Sequence, residues 1–381
     1  MTADIHLSIR NFAQIEDVDL TFGDLTVLVG AQGTGKSLAL QWLKTALDGR
    51  QIATALEGAG QPAKAEILID LIFGVGMNSA WRADSEVTFK GRKLALKSIG
   101  KLGNGKGQVF FIPAHRAMLI SDGWAAPFQK LDPNTPVVAR IFSDNLYRLF
   151  TSRDSEQLFP LDRVLKKEYR ELIDKAVFHG GTVGLEQDQQ HSKRLKLRYG
   201  EDGKLPFMTW TAGQREFTPL LLGLYHLIPP RKQPKQPDIN WVIIEEPEMG
   251  LHPQALTVFL LLTLELLWRG YRVVLSTHSP HVLTAMWMLR RLREYRAKPQ
   301  RLCEAFGVSA TPSLTNVARN ALSASTFVHL LEFQDNDKVR SKDISSLDPG
   351  SEDEDISGWG GLAGFSEQFS EAVRRAANEA E

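Results

Sequence analysis

A chain of 381 residues suits one large α/β domain with insertions or two joined lobes, and its 43% hydrophobic and 24% charged residues exclude a wholly disordered protein. Lys plus Arg equals Asp plus Glu at 45 each, so bulk attraction to nucleic acid or membrane is not expected; any such binding must come from local patches. The single cysteine, Cys303, excludes an internal disulfide framework and a cysteine-based zinc site, and fits a reducing compartment.

The N-terminus has no basic segment followed by an apolar run, so no signal peptide is expected. Residues 5–12 and 15–22 alternate apolar and polar side chains, as half-buried strands do. Residues 25–29 are a continuous apolar run, the mark of a strand buried on both faces. A Gly-rich turn over 30–35 follows, then a helix over 36–47 closed by Asp48 and Gly49. Strands are expected over 65–73, 86–90, 92–97 and 108–112, with Gly91 as a hairpin turn. From 118 to about 173 the pattern is helical, with Thr135-Pro136 as a helix start. Residues 182–186, 194–199 and 205–210 read as a meander, with Glu201-Asp202-Gly203 as one turn. A helix over 214–228 runs into a proline-rich loop, 229–237. A buried strand over 241–244, a helix over 253–268 and a buried strand over 271–276 then follow, an order that needs a parallel sheet. The most apolar stretch, 255–268, is too short to span a bilayer and contains Glu265, so a cytoplasmic protein without membrane contact is expected. A last long helix covers 281–297, and beyond Asp335 the chain is polar and rich in acid, Ser and Gly.

Gly30-Ala31-Gln32-Gly33-Thr34-Gly35-Lys36-Ser37 fits G-x-x-x-x-G-K-[ST] without a mismatch, between a buried strand and a helix. Glycines let the backbone curl until its N–H groups face phosphates, and the helix N-terminus adds its positive end. Lys36 would reach the β- and γ-phosphates of ATP, and the Ser37 hydroxyl would ligate Mg²⁺. A chance Gly-rich turn would lack this strand-and-helix context.

The strand over 241–244 delivers Glu245 and Glu246 at its C-terminal end, the edge where ligands of open parallel sheets gather. Glu245 would bind Mg²⁺, directly or through water, and Glu246 would take a proton from the attacking water. The strand ending at Ser276-Thr277 leads to His278, which can donate a hydrogen bond to the γ-phosphate. Strand-end acids or a lone His are often only solvated or structural; beside a phosphate loop the functional reading gains.

Together these residues resemble the soluble ABC-type ATPases of the RecF, SMC and OLD branch. Arg10-Asn11-Phe12, Glu245-Glu246-Pro247-Glu248 followed by Leu251-His252-Pro253, and Ser276-Thr277-His278-Ser279-Pro280 carry the resemblance over roughly 5–50 and 205–290. It implies an α/β P-loop NTPase of ABC type: a mixed sheet with an antiparallel β-subdomain and an inserted helical lobe. The expected division is an N-terminal ATPase lobe (1–116), a helical and β insertion (117–204), the signature, Walker B and switch-His half (205–297), and a C-terminal extension with an acidic tail (298–381). Trp210-Thr211-Ala212-Gly213-Gln214 stands where the family has its signature, usually L-S-G-G-Q. Thr211 keeps the hydroxyl, Gly213 permits close approach and Gln214 starts the helix; Trp for Leu and Ala for Gly are departures. In the family this segment faces the nucleotide of a second protomer, so a homodimer or higher oligomer around ATP is implied. His115 stands about where the family often has the glutamine of its Q-loop, or it is a structural loop His.

No coiled coil separates the motifs, and no later acidic block suggests a nuclease. The 359–366 stretch looks like the tail of stand-alone bacterial ATPases of this branch, some of which serve anti-phage defence with a separate effector. The resemblance thus implies a slow ATPase switch that controls such a partner. A DNA-repair or DNA-maintenance ATPase and a poorly hydrolysing ATP-bound scaffold are the alternatives. Arg290, Arg291, Arg293, Arg296, Lys298 and Arg301, and also Lys193, Arg194, Lys196 and Arg198, read either as nucleic-acid phosphate contacts or as solvated faces; the second is favoured in a neutral chain. Glu352-Asp353-Glu354-Asp355 would repel nucleic acid, bind a basic partner or keep the segment solvated.

Overall fold

The computed structural model describes residues 5–62, 64–152, 157–161, 164–187, 193–200, 203–229, 235–335 and 337–362. The N-terminal alternation becomes an antiparallel pair, β1 (Ile5–Phe12) and β2 (Ile15–Phe22), followed by the fully buried β3 (Leu25–Val29). α1 (Lys36–Gly58) leaves the glycine turn. It does not end at Asp48 and Gly49 as expected: Asp48 takes non-helical angles (φ −128°, ψ 24°), and the helix kinks and continues. The Asp48 carboxylate is buried and accepts from the N–H groups of Gln108 (2.7 Å) and Val109 (2.9 Å), while Lys44 Nζ donates to it at 2.7 Å. Burial pushes the Lys44 ammonium below its ordinary pKa, and Asp48 opposes that shift.

Removing one member of such a pair leaves an uncompensated buried charge. Asp48→Ala is expected to lose about 3–5 kcal/mol of stability, read as a lower urea midpoint. The apolar pair Lys44→Met/Asp48→Leu should lose less. An Asp48→Ala chain with the parent's midpoint would show that the kink carries no such load.

Residues 65–73, expected as a strand, instead contain α2 (Leu68–Phe73), whose buried Leu68, Ile69, Ile72 and Phe73 follow helical spacing. β4 (Trp81–Phe89) and the two-residue β5 (Arg92–Lys93) make the hairpin, and a 3₁₀ turn over 96–101 replaces the rest of the second expected strand. β6 (Val109–Ile112) follows. The stretch read as continuously helical is broken: β7 (Ile120–Ser121) and β8 (Trp124–Ala125) form a small hairpin before α3 (Val137–Ser152), β9 (Gln157–Phe159) and α4 (Lys167–Ile173). The meander is β10 (Thr182–Gln187), β11 (Lys193–Tyr199) and β12 (Gly203–Pro206), which with β9 forms a four-stranded antiparallel sheet. Glu201 and Asp202 lie outside the described residues.

α5 (Ala212–Leu227), β13 (Trp241–Glu245), α6 (Pro253–Trp268), β14 (Arg272–Ser276) and α7 (Pro280–Glu294) follow in the expected order. α8 (Pro299–Ala305) and α9 (Pro312–Ser323) lead to β15 (Thr326–Phe333), β16 (Val339–Asp343) and a short α10 (Glu354–Ser357). The C-terminal region is therefore part of the main sheet. Its ten strands run β5-β4-β1-β2-β16-β15-β3-β14-β13-β6. The five from β15 to β6 are parallel, and β16 with β15, β1 with β2 and β4 with β1 pair antiparallel. The fold is α/β with a large mixed sheet.

Period-two alternation divides two cores across that sheet. Leu25, Val27, Val29, Val242, Ile244, Val273 and Leu275 face one cluster with side chains of α5 and α6. Leu28, Trp241, Ile243 and Val274 face the other, with Leu40, Trp42 and Leu43 of α1. Both faces are covered, so the usable surface is the strand-end edge. No helix among the described residues is long and apolar enough to cross a membrane.

Candidate active site

Strand register gathers motifs that are far apart in sequence. In the parallel ladder Glu245 pairs with Ser276, and Ser276 pairs with Leu28. The P-loop after β3, Thr277 and His278 after β14, and Glu245 and Glu246 at the end of β13 thus emerge side by side. β14 lies between the other two strands.

The loop is closed by the Thr34 hydroxyl donating to the Ala31 carbonyl at 2.9 Å. Lys36 folds over it, with Nζ donating to the carbonyls of Gly30 and Ala31 at 2.8 Å each. Gly30 needs its missing Cβ: its φ is 143°, and a Cβ would fall 2.0 Å from the Leu331 carbonyl oxygen of β15. Gln14, in the β1–β2 turn, donates from Nε2 to the Gly33 carbonyl at 2.6 Å. Ala31, Gln32, Gly33 and Ser37 remain exposed, and Gly35 holds φ 85° before the helix. Burial lowers the Lys36 pKa to about 8, against the opposing pull of Glu246 and Glu248.

Glu245 is buried, and burial raises its pKa to about 7, although the Ser37 hydroxyl and the Ala114 N–H (3.3 Å to Oε2) favour the carboxylate. Ser37 is near enough to act on the carboxyl, yet no hydrogen bond of normal geometry reaches Oε1. A buried acceptor with an unused lone pair beside an exposed hydroxyl fits Mg²⁺, which takes few protein ligands and completes its shell with water and phosphate.

Glu246 sits in a left-handed backbone, φ 40°, with its N–H donating to the Ser276 carbonyl at 2.9 Å. Its Oε1 lies 3.2 Å from His278 Nε2, and both side chains are about a quarter exposed. Glu248, given no role in the sequence reading, accepts from Thr277 Oγ1 (2.7 Å) and the His278 N–H (2.6 Å). It fixes the turn that carries the histidine. Arg116, also missed, is wholly buried and donates to the carbonyls of Glu245, Glu246 and Pro247. The neighbouring His115 is exposed. The signals were in E-E-P-E and P-A-H-R, but no local pattern says which acid or base turns inward.

Thr211 and Gln214 form a capping box at the start of α5. Thr211 Oγ1 accepts from the Gln214 N–H at 3.3 Å, and Gln214 Oε1 accepts from the Thr211 N–H at 3.2 Å. Gln214 is buried, and its Nε2 donates to the Val177 carbonyl and to Tyr199 Oη. Its side chain serves the helix start and the β-subdomain, leaving Thr211 and the backbone of Ala212 and Gly213 to face outward. A cleft of about 440 Å³ opens there, lined by Thr211, Gly213, Gly250, His252 and His179.

Much of the basic charge is spent internally. Arg290 and Arg291 pair with Glu294, Arg291 also with Asp348, Arg293 donates to the Leu322 and Ala324 carbonyls, and Arg301 pairs with Glu304. Arg194 pairs with Asp122 and Arg198 with Glu186. In the acidic run, Asp353 and Asp355 both bind Lys342. Residues 363–366 of the tail motif lie outside the described residues.

Residues 151–283 match the family model of an AAA ATPase domain. The match takes in Thr211–Gln214, Glu245, Glu246 and His278; the P-loop precedes it and rests on its own motif and geometry. No curated protein matches the chain in sequence. Among solved structures, the chain is similar to an SMC head bound to the C-winged helix domain of ScpA, with 12% identity over 89% of this chain and 96% of that one, at a TM-score of 0.44. It is also similar to the SMC head domain from Thermotoga maritima, with 13% identity over 89% and 97% and a TM-score of 0.38. A third is the Smc head domain with an extended coiled coil bound to the C-terminal domain of ScpA derived from Pyrococcus furiosus, with 10% identity over 89% and 95% and a TM-score of 0.39.

Proposed function

We propose that this ATPase is a slow, ATP-driven switch in which two copies close around ATP and thereby control a separate effector protein. The observation that carries the reading is the convergence of the P-loop, Glu245, Glu246 and His278 on one sheet edge. Backbone N–H groups of 30–37 and the Lys36 ammonium hold the phosphates. Ser37 and Glu245 would hold Mg²⁺, which would neutralise phosphate charge when bound. Glu246 accepts the proton of the attacking water, and His278, 3.2 Å away, orients that carboxylate or turns to the γ-phosphate.

The γ-phosphate end must face β14 and β13, so the nucleoside points to the opposite neighbour of β3. There Phe333, 45% exposed at the end of β15, brings its ring Cζ to 3.8 Å from a Cβ built on Gly33, so an aromatic ring stands beside the loop for a base to pack against. The exposed Thr211–Gly213 helix start would meet the nucleotide of the second copy. An effector in anti-phage defence accords with the resemblance, and co-purification with the product of a neighbouring gene tests it. Direct action on DNA has less support, because most of the clustered arginines already have partners within the chain.

Thr211→Arg or Gly213→Asp is expected to leave each chain able to bind ATP while blocking ATP-dependent dimerisation, because the new side chain crowds or repels the facing γ-phosphate. Gel filtration with ATP should give monomers for these variants and dimers for the parent. Equal dimerisation in both would remove Thr211–Gln214 from the interface.

A further inference from the structure

Arg116 is 0% exposed, and the chemistry above gives it no direct part. Three segments meet on its guanidinium. Nη1 donates to the carbonyls of Glu245 (3.2 Å) and Glu246 (3.3 Å), and Nη2 to that of Pro247 (3.2 Å), which together make the turn that aims the carboxylates. Nη1 also lies 3.4 Å from the Ala114 carbonyl, on its own loop after β6. Nε donates to the Glu216 carbonyl on α5 at 3.1 Å. A planar fork with fixed N–H directions cannot follow one acceptor without straining the others. Glu246 needs such a clamp, since a non-glycine residue at φ 40° keeps that backbone only where its surroundings fix it.

The same helix start touches the catalytic strand by a second route. Gly250, in the loop after β13, leaves only enough room for the Glu216 stem: a Cβ there would come 3.0 Å from Glu216 Cγ. A Cβ on Gly213 would come 3.3 Å from the Gly250 carbonyl. The link also has slack. Glu216 Oε2 is buried without a hydrogen bond and stands 3.7 Å from Arg116 Nε, so a small shift of α5 can close the gap.

We infer that Arg116 is a positioning residue, with Glu216 as its lever on α5, that passes movement of the Thr211–Gly213 face to the Glu246 turn. The inference rests on the ATP-closed dimer of the preceding section. Nucleotide held by one copy draws on α5 of the other, and Arg116 sets the carboxylate there, so turnover belongs to the dimer.

Turnover, nucleotide affinity and ATP-dependent dimerisation are measured across protein concentration for the parent, Glu216→Gln and Arg116→Lys. Per-chain turnover of the parent should rise as the dimer forms. Glu216→Gln should bind ATP and dimerise as the parent does, with an unchanged KM, while its dimer turns over on the order of 10- to 10²-fold more slowly, the cost of a misplaced reacting group. Arg116→Lys, a point charge that cannot span the carbonyls, should show the same split; if it does not fold, Glu216→Gln carries the test. A Glu216→Gln dimer with the parent's turnover and only a lower melting temperature overturns the inference and leaves the dimer reading standing. A parent that never dimerises with ATP overturns both.

Discussion

Glu246→Gln should lower ATP turnover by about 10²- to 10⁴-fold, the range for removing a positioned base. The amide keeps the size of the carboxyl and can still contact His278, now 3.2 Å from Oε1, but it cannot take the proton. Lys36, Ser37 and Glu245 are untouched, so ATP affinity should survive and the closed dimer accumulate. Glu245→Gln should differ in kind. That carboxyl is the buried one, with Oε1 unbonded beside Ser37, and its loss should weaken Mg²⁺-dependent binding. Steady-state turnover and Mg²⁺-dependent nucleotide affinity separate the two. If Glu246→Gln hydrolyses ATP at the parent rate while Glu245→Gln traps it, the roles are exchanged.

Lys36→Ala should abolish measurable ATP binding. Nζ is already aimed across the loop by the Gly30 and Ala31 carbonyls, and nothing else in the loop carries a positive side chain. Two charge-assisted hydrogen bonds at about 1.5–3 kcal/mol each correspond to roughly 10²- to 10⁴-fold in affinity. The same lysine gives binding a pH signature. Mg²⁺-ATP selects the Glu245 carboxylate, whose pKa burial raises to about 7, and the Lys36 ammonium, whose pKa burial lowers to about 8. Affinity should rise as pH increases through 7 and fall as it increases through 8. Binding should release a proton on the acid side and take one up on the alkaline side. Glu245→Gln should lose the acid limb alone. Titration calorimetry in buffers of different ionisation enthalpy reads both; a flat profile from pH 6 to 9 would contradict the assignment.

The P-loop, the acid pair and His278 were legible because each is a local pattern at a strand end. Their convergence was not, because it depends on the Glu245–Ser276–Leu28 register between strands far apart in sequence. β15 was missed for a related reason. Its apolar run is local, but its pairing with β3 joins segments about 300 residues apart, so the sequence gives no sign that the C-terminal extension completes the sheet. Asp48-Gly49 looked like a helix end; the Asp48 side chain instead bonds β6 and the helix goes on. The basic helix reads as a solvated face or, less favoured, as a phosphate contact; that its arginines are held within the chain is not legible, because Asp348 and the Leu322 and Ala324 carbonyls arrive from later elements. Arg116 lies one residue after the expected Q-loop position, and only the fold shows that it points inward while His115 points out.

Closure of two copies around ATP should show in the mass of the Glu246→Gln chain in solution. By light scattering, the species should sit at the chain mass of 42.6 kDa without nucleotide and at twice that mass with Mg²⁺-ATP, with one nucleotide retained per chain. A mass that stays at 42.6 kDa with ATP bound would mean that two copies do not close around the nucleotide.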